Sequence, residues 1–183
     1  MAAGSGIVGI YGLGRFGTFW GELLSREMKV IGASRRQKED LPAGITQCSV
    51  HELGEADAVF ICVAISAMEE ACDHLAGVLR PDQTVLDTCS VKVYPARVME
   101  ECFPREQPLV ATHPMFGPDS ARAGVSGLPI IAYPLRDPRG SYESWKAFFA
   151  RLGLSIVEMS PDDHDREAAY TQGITHFVGR VLS

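Results

Sequence analysis

Apolar residues fall along this chain in short unbroken runs, separated by longer stretches of mixed polarity. Residues 7–11, IVGIY, are too few for a helix and suit a buried parallel strand. Val30–Ala33, Ala58–Val63, Thr84–Leu86, Leu109–Thr112, Leu128–Tyr133 and Leu154–Glu158 read the same way. Helical patterns lie between them at Arg15–Glu27, Ser66–Leu79, Val91–Cys102 (closed by Pro104) and Tyr142–Arg151. The polar stretch SRRQKEDLPAG at 34–44 and the Gly/Ser/Pro-rich stretch at 117–127 read as loops. Strands alternating with helices at this spacing predict an α/β fold, a doubly wound, Rossmann-type and mostly parallel sheet. No internal repeat interrupts the pattern.

The chain closes on 160-SPDDHDREAAYTQGITHFVGRVLS-183. Ser160 is a natural N-cap, Pro161 suits the first helical position, and Asp163 completes a capping-box-like pattern. The helix it opens meets no stop signal, so a helical region is expected beyond it. We therefore expect one domain over residues 1–159, and over 160–183 the start of a second, helical one that the sequence does not complete.

Chemistry enters at 12-GLGRFG-17, a G-x-G-x-x-G spacing placed after a strand and at the start of a helix. Gly12 permits a tight turn, Gly14 lets a pyrophosphate approach the backbone, and Gly17 allows close helix–strand packing. With Leu13, Arg15 and Phe16 between them, and Val63 and Ala64 at the end of the third expected strand, these residues are the candidate dinucleotide site. An NAD site usually carries an acid at the end of the second strand, whereas here Ser34, Arg35 and Arg36 hold that place. A hydroxyl and two guanidinium groups suit a 2′-phosphate, so NADP is the expected cofactor, with NAD admitted. The competing reading of the arginines is a solvated basic loop.

Two further segments end on the carboxyl edge of the sheet, where open α/β folds bind ligands. They are 87-DTCSVK-92 and 112-THPMFGP-118. Ser90 is either a reactive hydroxyl or only an N-cap for the helix that follows. His113 is either a core histidine or a proton acceptor that titrates near physiological pH.

Composition narrows the classes. With 46% hydrophobic and 22% charged residues the chain has an ordinary globular balance, and its net charge of −6 argues against nucleic acid or an acidic membrane as partner. No apolar run nears the ~18 residues that span a bilayer. MAAGSG lacks the pattern of a signal peptide, so a cytoplasmic location is expected, or a plastid if a transit peptide has been removed. The five cysteines lack metal-binding spacing, and no metal site is expected. His51 and His74 read as surface residues, Cys89 as a small buried side chain, and His164 as structural or part of a solvated face.

GLGRFG, DTCSVK, HPMFGP and HDREAAYTQGITHFVGR, in this order, resemble the prephenate/arogenate dehydrogenase family of tyrosine biosynthesis, and the SRR stretch is similar to its plant-like, NADP-using members. The resemblance implies oxidative decarboxylation of a cyclohexadienyl substrate, prephenate or arogenate. Hydride leaves the ring carbon bearing the 4-hydroxyl for the nicotinamide, and the carboxylate departs as carbon dioxide. The family's base falls on His113 and its serine partner on Ser90; Gln172 and His176 of the last helix fall among the substrate contacts. It also implies a homodimer built mostly by a helical domain of about a hundred residues, which does not follow Ser183. Two other readings stand beside it: a β-hydroxyacid dehydrogenase, whose catalytic lysine has no counterpart on this last helix, and a non-catalytic NADP-binding module.

Overall fold

The computed structural model describes residues 6–170. Eight strands make one sheet: β1 (Ile7–Tyr11), β2 (Lys29–Ala33), β3 (Ile45–Gln47), β4 (Ala58–Ile61), β5 (Thr84–Asp87), β6 (Leu109–Pro114), β7 (Pro129–Arg136) and β8 (Ser155–Glu158). Their order is β3-β2-β1-β4-β5-β6-β7-β8, parallel throughout except for the antiparallel pair β6 and β7. Helices α1 (Arg15–Leu24), α2 (Met68–Ala76), α3 (Val93–Cys102) and α4 (Ser141–Arg151) connect them, and a further helical segment, α5, occupies 161–170. The expected doubly wound, mostly parallel sheet is therefore present. The chain winds outward from β1 to β3 and then returns to β4, so the order reverses between β1 and β4 and opens a crevice above their carboxyl ends.

Both sheet faces are apolar because both are covered by helices. Val8, Ile10, Phe60, Leu86 and Val110 pack on one side with Trp20, Trp145 and Phe149 of α1 and α4. Val59, Ile61, Val85 and Leu109, the alternate residues of the same strands, pack on the other with α2 and α3. Phe60 is the hub of the first side, edge-on to Trp20 at 5.7 Å and to Trp145 at 5.3 Å. Phe116, three residues past His113, joins that cluster 6.3 Å from Phe19 and 6.2 Å from Trp20. The turn after β6 is thus anchored to α1 by an aromatic ring.

Among the departures from expectation, three bear on the site. β3 was hidden at the end of a polar stretch, since it is three residues long and buries only Ile45. The helix expected at Ser66–Leu79 begins as a 3₁₀ turn, Ile65–Ala67, and becomes α-helical only from Met68 to Ala76. β6 runs two residues further than expected because β7 continues to pair with it, opposing His113 to Ile131 and Pro114 to Ile130. His113 is accordingly a strand residue. Ser160 caps α5 as the sequence suggested: its hydroxyl accepts the Asp163 N–H at 3.2 Å and donates to the Asp163 carboxylate at 2.6 Å.

Candidate active site

The glycine loop lies at the crevice, and its three glycines face three different surroundings. Gly12 has φ +107, and a Cβ there would sit 2.5 Å from the Cys62 carbonyl oxygen. A Cβ on Gly17 would sit 2.0 Å from the Gly12 carbonyl oxygen, so α1 can approach the loop only without one. A Cβ on Gly14 would meet nothing within 4 Å. Gly14 opens onto the start of α1, where no side chain caps the helix and no acid occupies the first turn. Uncapped amides at a helix start favour an anion.

A cleft of 590 Å³ opens there. Gly12, Leu13, Gly14, Ser34, Arg35, Arg36, Val63 and Ala64 all line it. Arg15, Phe16 and Gly17 do not: Arg15 pairs with Asp119 at 2.5 Å, Phe16 stacks on Trp20 at 5.9 Å, and Gly17 is buried in the contact just described. Leu13 contributes through its backbone, since its side chain is buried beneath Gly32.

Gln47 of β3, unnoticed in the sequence, shapes the basic edge of this cleft. Its amide donates to the Arg36 carbonyl at 3.0 Å and to the Ser34 hydroxyl at 3.3 Å, while its carbonyl accepts the Lys38 N–H at 2.9 Å. Ser34 also donates to the Arg36 carbonyl, at 2.6 Å. The loop is therefore ordered from within, with Arg35 and Arg36 exposed. Among the lining residues Arg35, Arg36 and Lys38 face a single carboxylate, Glu70. Tyr11, also in the lining, meets Nδ1 of the exposed His74 at 3.1 Å.

At the ends of β5 and β6 a buried ion pair takes over. The Lys92 ammonium donates to the Asp87 carboxylate and, at 2.6 Å, to the Thr112 carbonyl. Asp87 also accepts the N–H groups of Cys89, at 2.9 Å, and Thr112, at 3.1 Å. One carboxylate thereby fixes both strand ends and the DTCSVK turn. Cys89 lies in this cluster; burial first, and the Asp87 carboxylate next, push its thiol up to about 12, which keeps it protonated.

His113 is half-buried beside this pair. Its Nδ1 lies 2.9 Å from Nε2 of His164, and His164 Nδ1 lies 2.7 Å from the Asp165 carboxylate. Asp165 also accepts the N–H groups of Lys92, at 2.7 Å, and Val93, at 2.9 Å. Two expectations are corrected here. His164 is 2% exposed, which keeps the structural reading and removes the solvated-face one. The start of α3 is capped by Asp165, so the reading of Ser90 as its N-cap falls; Ser90 stands exposed just beyond β5. A third concerns titration. Burial first, then the Lys92 cation and His164, push the His113 imidazole down to about 4, with Asp165 opposing, so the ring is already neutral well below physiological pH. Gln172 and His176 lie outside the described residues. No helix among the described residues is long and apolar enough to cross a membrane.

Comparison with known proteins bears on this arrangement. The family model described as prephenate dehydrogenase, nucleotide-binding domain, matches residues 24–128. Arogenate dehydrogenase 2, chloroplastic, of Arabidopsis thaliana is 33% identical over 187 residues, covering 96% of this chain and 52% of that protein. The crystal structure of Synechocystis arogenate dehydrogenase superposes with a TM-score of 0.76 at 25% identity, over 90% of this chain and 63% of that one. That of A. aeolicus prephenate dehydrogenase, in complex with hydroxyphenyl propionate and NAD+, gives 0.70 at 22% identity, over 87% and 62%, and shares the fold. The chain spans about half the length of the first of these relatives, and 29% of Arogenate dehydrogenase 1, chloroplastic, of the same plant.

Proposed function

This chain belongs to the prephenate/arogenate dehydrogenase family, and from that premise we propose that it serves an NADP-preferring oxidative decarboxylation of arogenate or prephenate. The observation that carries the reading is the placement of His113: a neutral ring at the carboxyl end of β6, on the sheet edge that also bears the glycine-loop cleft.

The cleft fits a dinucleotide. Gly14 leaves room at the α1 amides for a pyrophosphate, and Arg35, Arg36 and Lys38 offer the donors a 2′-phosphate needs, while Ser34 donates to the Arg36 carbonyl and shapes the loop. Three cations against one carboxylate favour the phosphorylated cofactor over NAD. When bound, the nicotinamide supplies an acceptor for the hydride leaving the substrate ring.

The chain's own residues handle the proton. His113, uncharged at neutral pH, accepts the proton of the 4-hydroxyl. Ser90, exposed beyond β5, serves as a partner for the same substrate oxygen. The ring carboxylate leaves as carbon dioxide and the ring becomes aromatic, so positioning matters more than a strongly basic group. The cofactor half is the domain expected over 1–159, Gln172 and His176 remain proposed substrate contacts, and the active form is proposed to be a homodimer. The relative's chloroplastic setting supports a plastid over the cytosol.

The test is absorbance at 340 nm with NADP and either substrate. Growth of signal, its loss in His113→Asn, and retained NADP binding in that variant are the expected results. Cofactor binding without turnover would leave a non-catalytic module, and loss of binding in His113→Asn would make the histidine structural.

A further inference from the structure

We propose that His164 is a positioning residue that holds His113 in the tautomer whose Nδ1 carries the proton, leaving Nε2 as a bare lone pair. The argument starts from the far end of the chain of contacts. An ionised carboxylate only accepts hydrogen bonds. Burial alone would raise the Asp165 carboxyl, but bonds from the Val93 N–H, from His164 and from the Lys92 N–H outweigh it and hold Asp165 below its usual value. The 2.7 Å contact to Asp165 therefore requires a proton on His164 Nδ1.

A neutral imidazole carries one ring proton. With Nδ1 protonated, His164 Nε2 is an acceptor. Its partner at 2.9 Å, His113 Nδ1, must then be the donor. His113, a neutral ring, has spent its single proton on that bond. Its Nε2, on the opposite side of the ring, is left able to take a proton from a substrate. The direction of the relay is set by Asp165, which is itself fixed by the two amides at the start of α3. His164 is 2% exposed, so water does not compete for its ring.

The catalytic meaning of this rests on the reading of His113 as the base; the tautomer does not, and it is measurable without turnover. The experiment is a long-range ¹H–¹⁵N correlation spectrum of protein labelled at histidine, recorded at pH 8 for the wild type, His164→Leu and His164→Gln. The wild type should show a pyridine-like Nε2 and a pyrrole-like Nδ1 on His113. His164→Leu should move the His113 proton toward Nε2, and His164→Gln, whose side-chain carbonyl can accept from Nδ1, should restore the wild-type pattern. In the turnover assay His164→Leu should lower kcat by about 10-fold or more with KM for NADP unchanged, and His164→Gln should recover most of it.

A wild-type His113 protonated at Nε2 overturns the proposal; that is also the pattern produced if His164 carries two protons and the 2.9 Å bond runs the other way. An unchanged tautomer in His164→Leu overturns it too. The expected tautomers in a protein that turns over neither substrate would uphold the positioning role and sink the proposed activity, so the two failures are distinguishable.

Discussion

Two alanine substitutions three residues apart should fail in opposite ways. In Gly17→Ala the new methyl would lie 2.0 Å from the Gly12 carbonyl oxygen and 3.0 Å from the Cys62 Cβ. The neighbouring backbone would have to retreat by more than about 1 Å to reach ordinary contact. Gly12 cannot retreat cheaply, because its N–H is bonded to the Ala33 carbonyl at 2.9 Å and its own Cα faces the Cys62 carbonyl. Overpacking of this kind costs about 1–3 kcal/mol, more where backbone must move, and the better helix propensity of alanine returns at most about 1. At roughly 2–4 °C per kcal/mol for a domain of this size, Tm should fall by about 4–10 °C. Gly14→Ala differs in every respect. Its φ of −77 and ψ of −171 suit any L-residue, and nothing lies within 4 Å of the new methyl. Stability should stay within about 0.5 kcal/mol of wild type. The methyl would instead occupy the approach to the α1 amides, and NADP affinity should fall at least about 10-fold, or 1.4 kcal/mol. Thermal unfolding by circular dichroism and calorimetric titration with NADP read the two quantities separately. Wild-type NADP affinity in Gly14→Ala, or a wild-type Tm in Gly17→Ala, would refute the reasoning.

Further expectations concern the basic edge, the buried pair and pH. Arg35→Ala should weaken NADP by about 10-fold or more, the worth of a charge-assisted hydrogen bond, while NAD changes little; equal weakening of both would remove the 2′-phosphate from this edge. Lys92→Met should cost about 3–5 kcal/mol in urea unfolding, because the fully buried Asp87 carboxylate loses its cation. Adding Asp87→Asn should recover at least half of that, and a single-variant loss below about 1 kcal/mol would count against a charged pair. His113 has a folded-state value pushed down from 6.5 to about 4, so between those limits the unfolded chain binds a proton that the folded chain refuses. Its contribution to stability is complete above about pH 6.5, is lost as pH falls toward 4 and then levels off. Urea midpoints from pH 7.5 to 4 should therefore fall less steeply in His113→Asn than in wild type, and parallel curves would contradict the assignment.

The legible parts of this molecule are those whose physics is local. The strand runs were readable because a strand covered on both faces is apolar at every position, as at Ala58–Ile61. The glycine loop was readable because turn, approach and packing demands recur at fixed short spacing. The Ser160 cap involves only its own helix turn. β3 was not legible, since one buried isoleucine carries no period, and Gln47 went unseen with it. Nor could spacing disclose Asp87 with Lys92, because what matters is the closed space between two strand ends. Burial and the Lys92 cation likewise lower the titration of His113, which the ordinary behaviour of an imidazole had placed near neutrality.

Asp165 shows most clearly why the site could not be completed from spacing. On a helical wheel it belongs to a stripe with Ala169, Gln172 and His176, and so reads as one more lining residue. In the fold it is committed elsewhere, accepting two amides at the start of α3, 73 and 72 residues away in sequence, and one ring nitrogen of His164. A carboxylate with three donors has little capacity left for a ligand. It fixes α5 against α3, and with it the ring that contacts His113. On the proposed reading of His113 as the base, α5 acts on the proton transfer through His164.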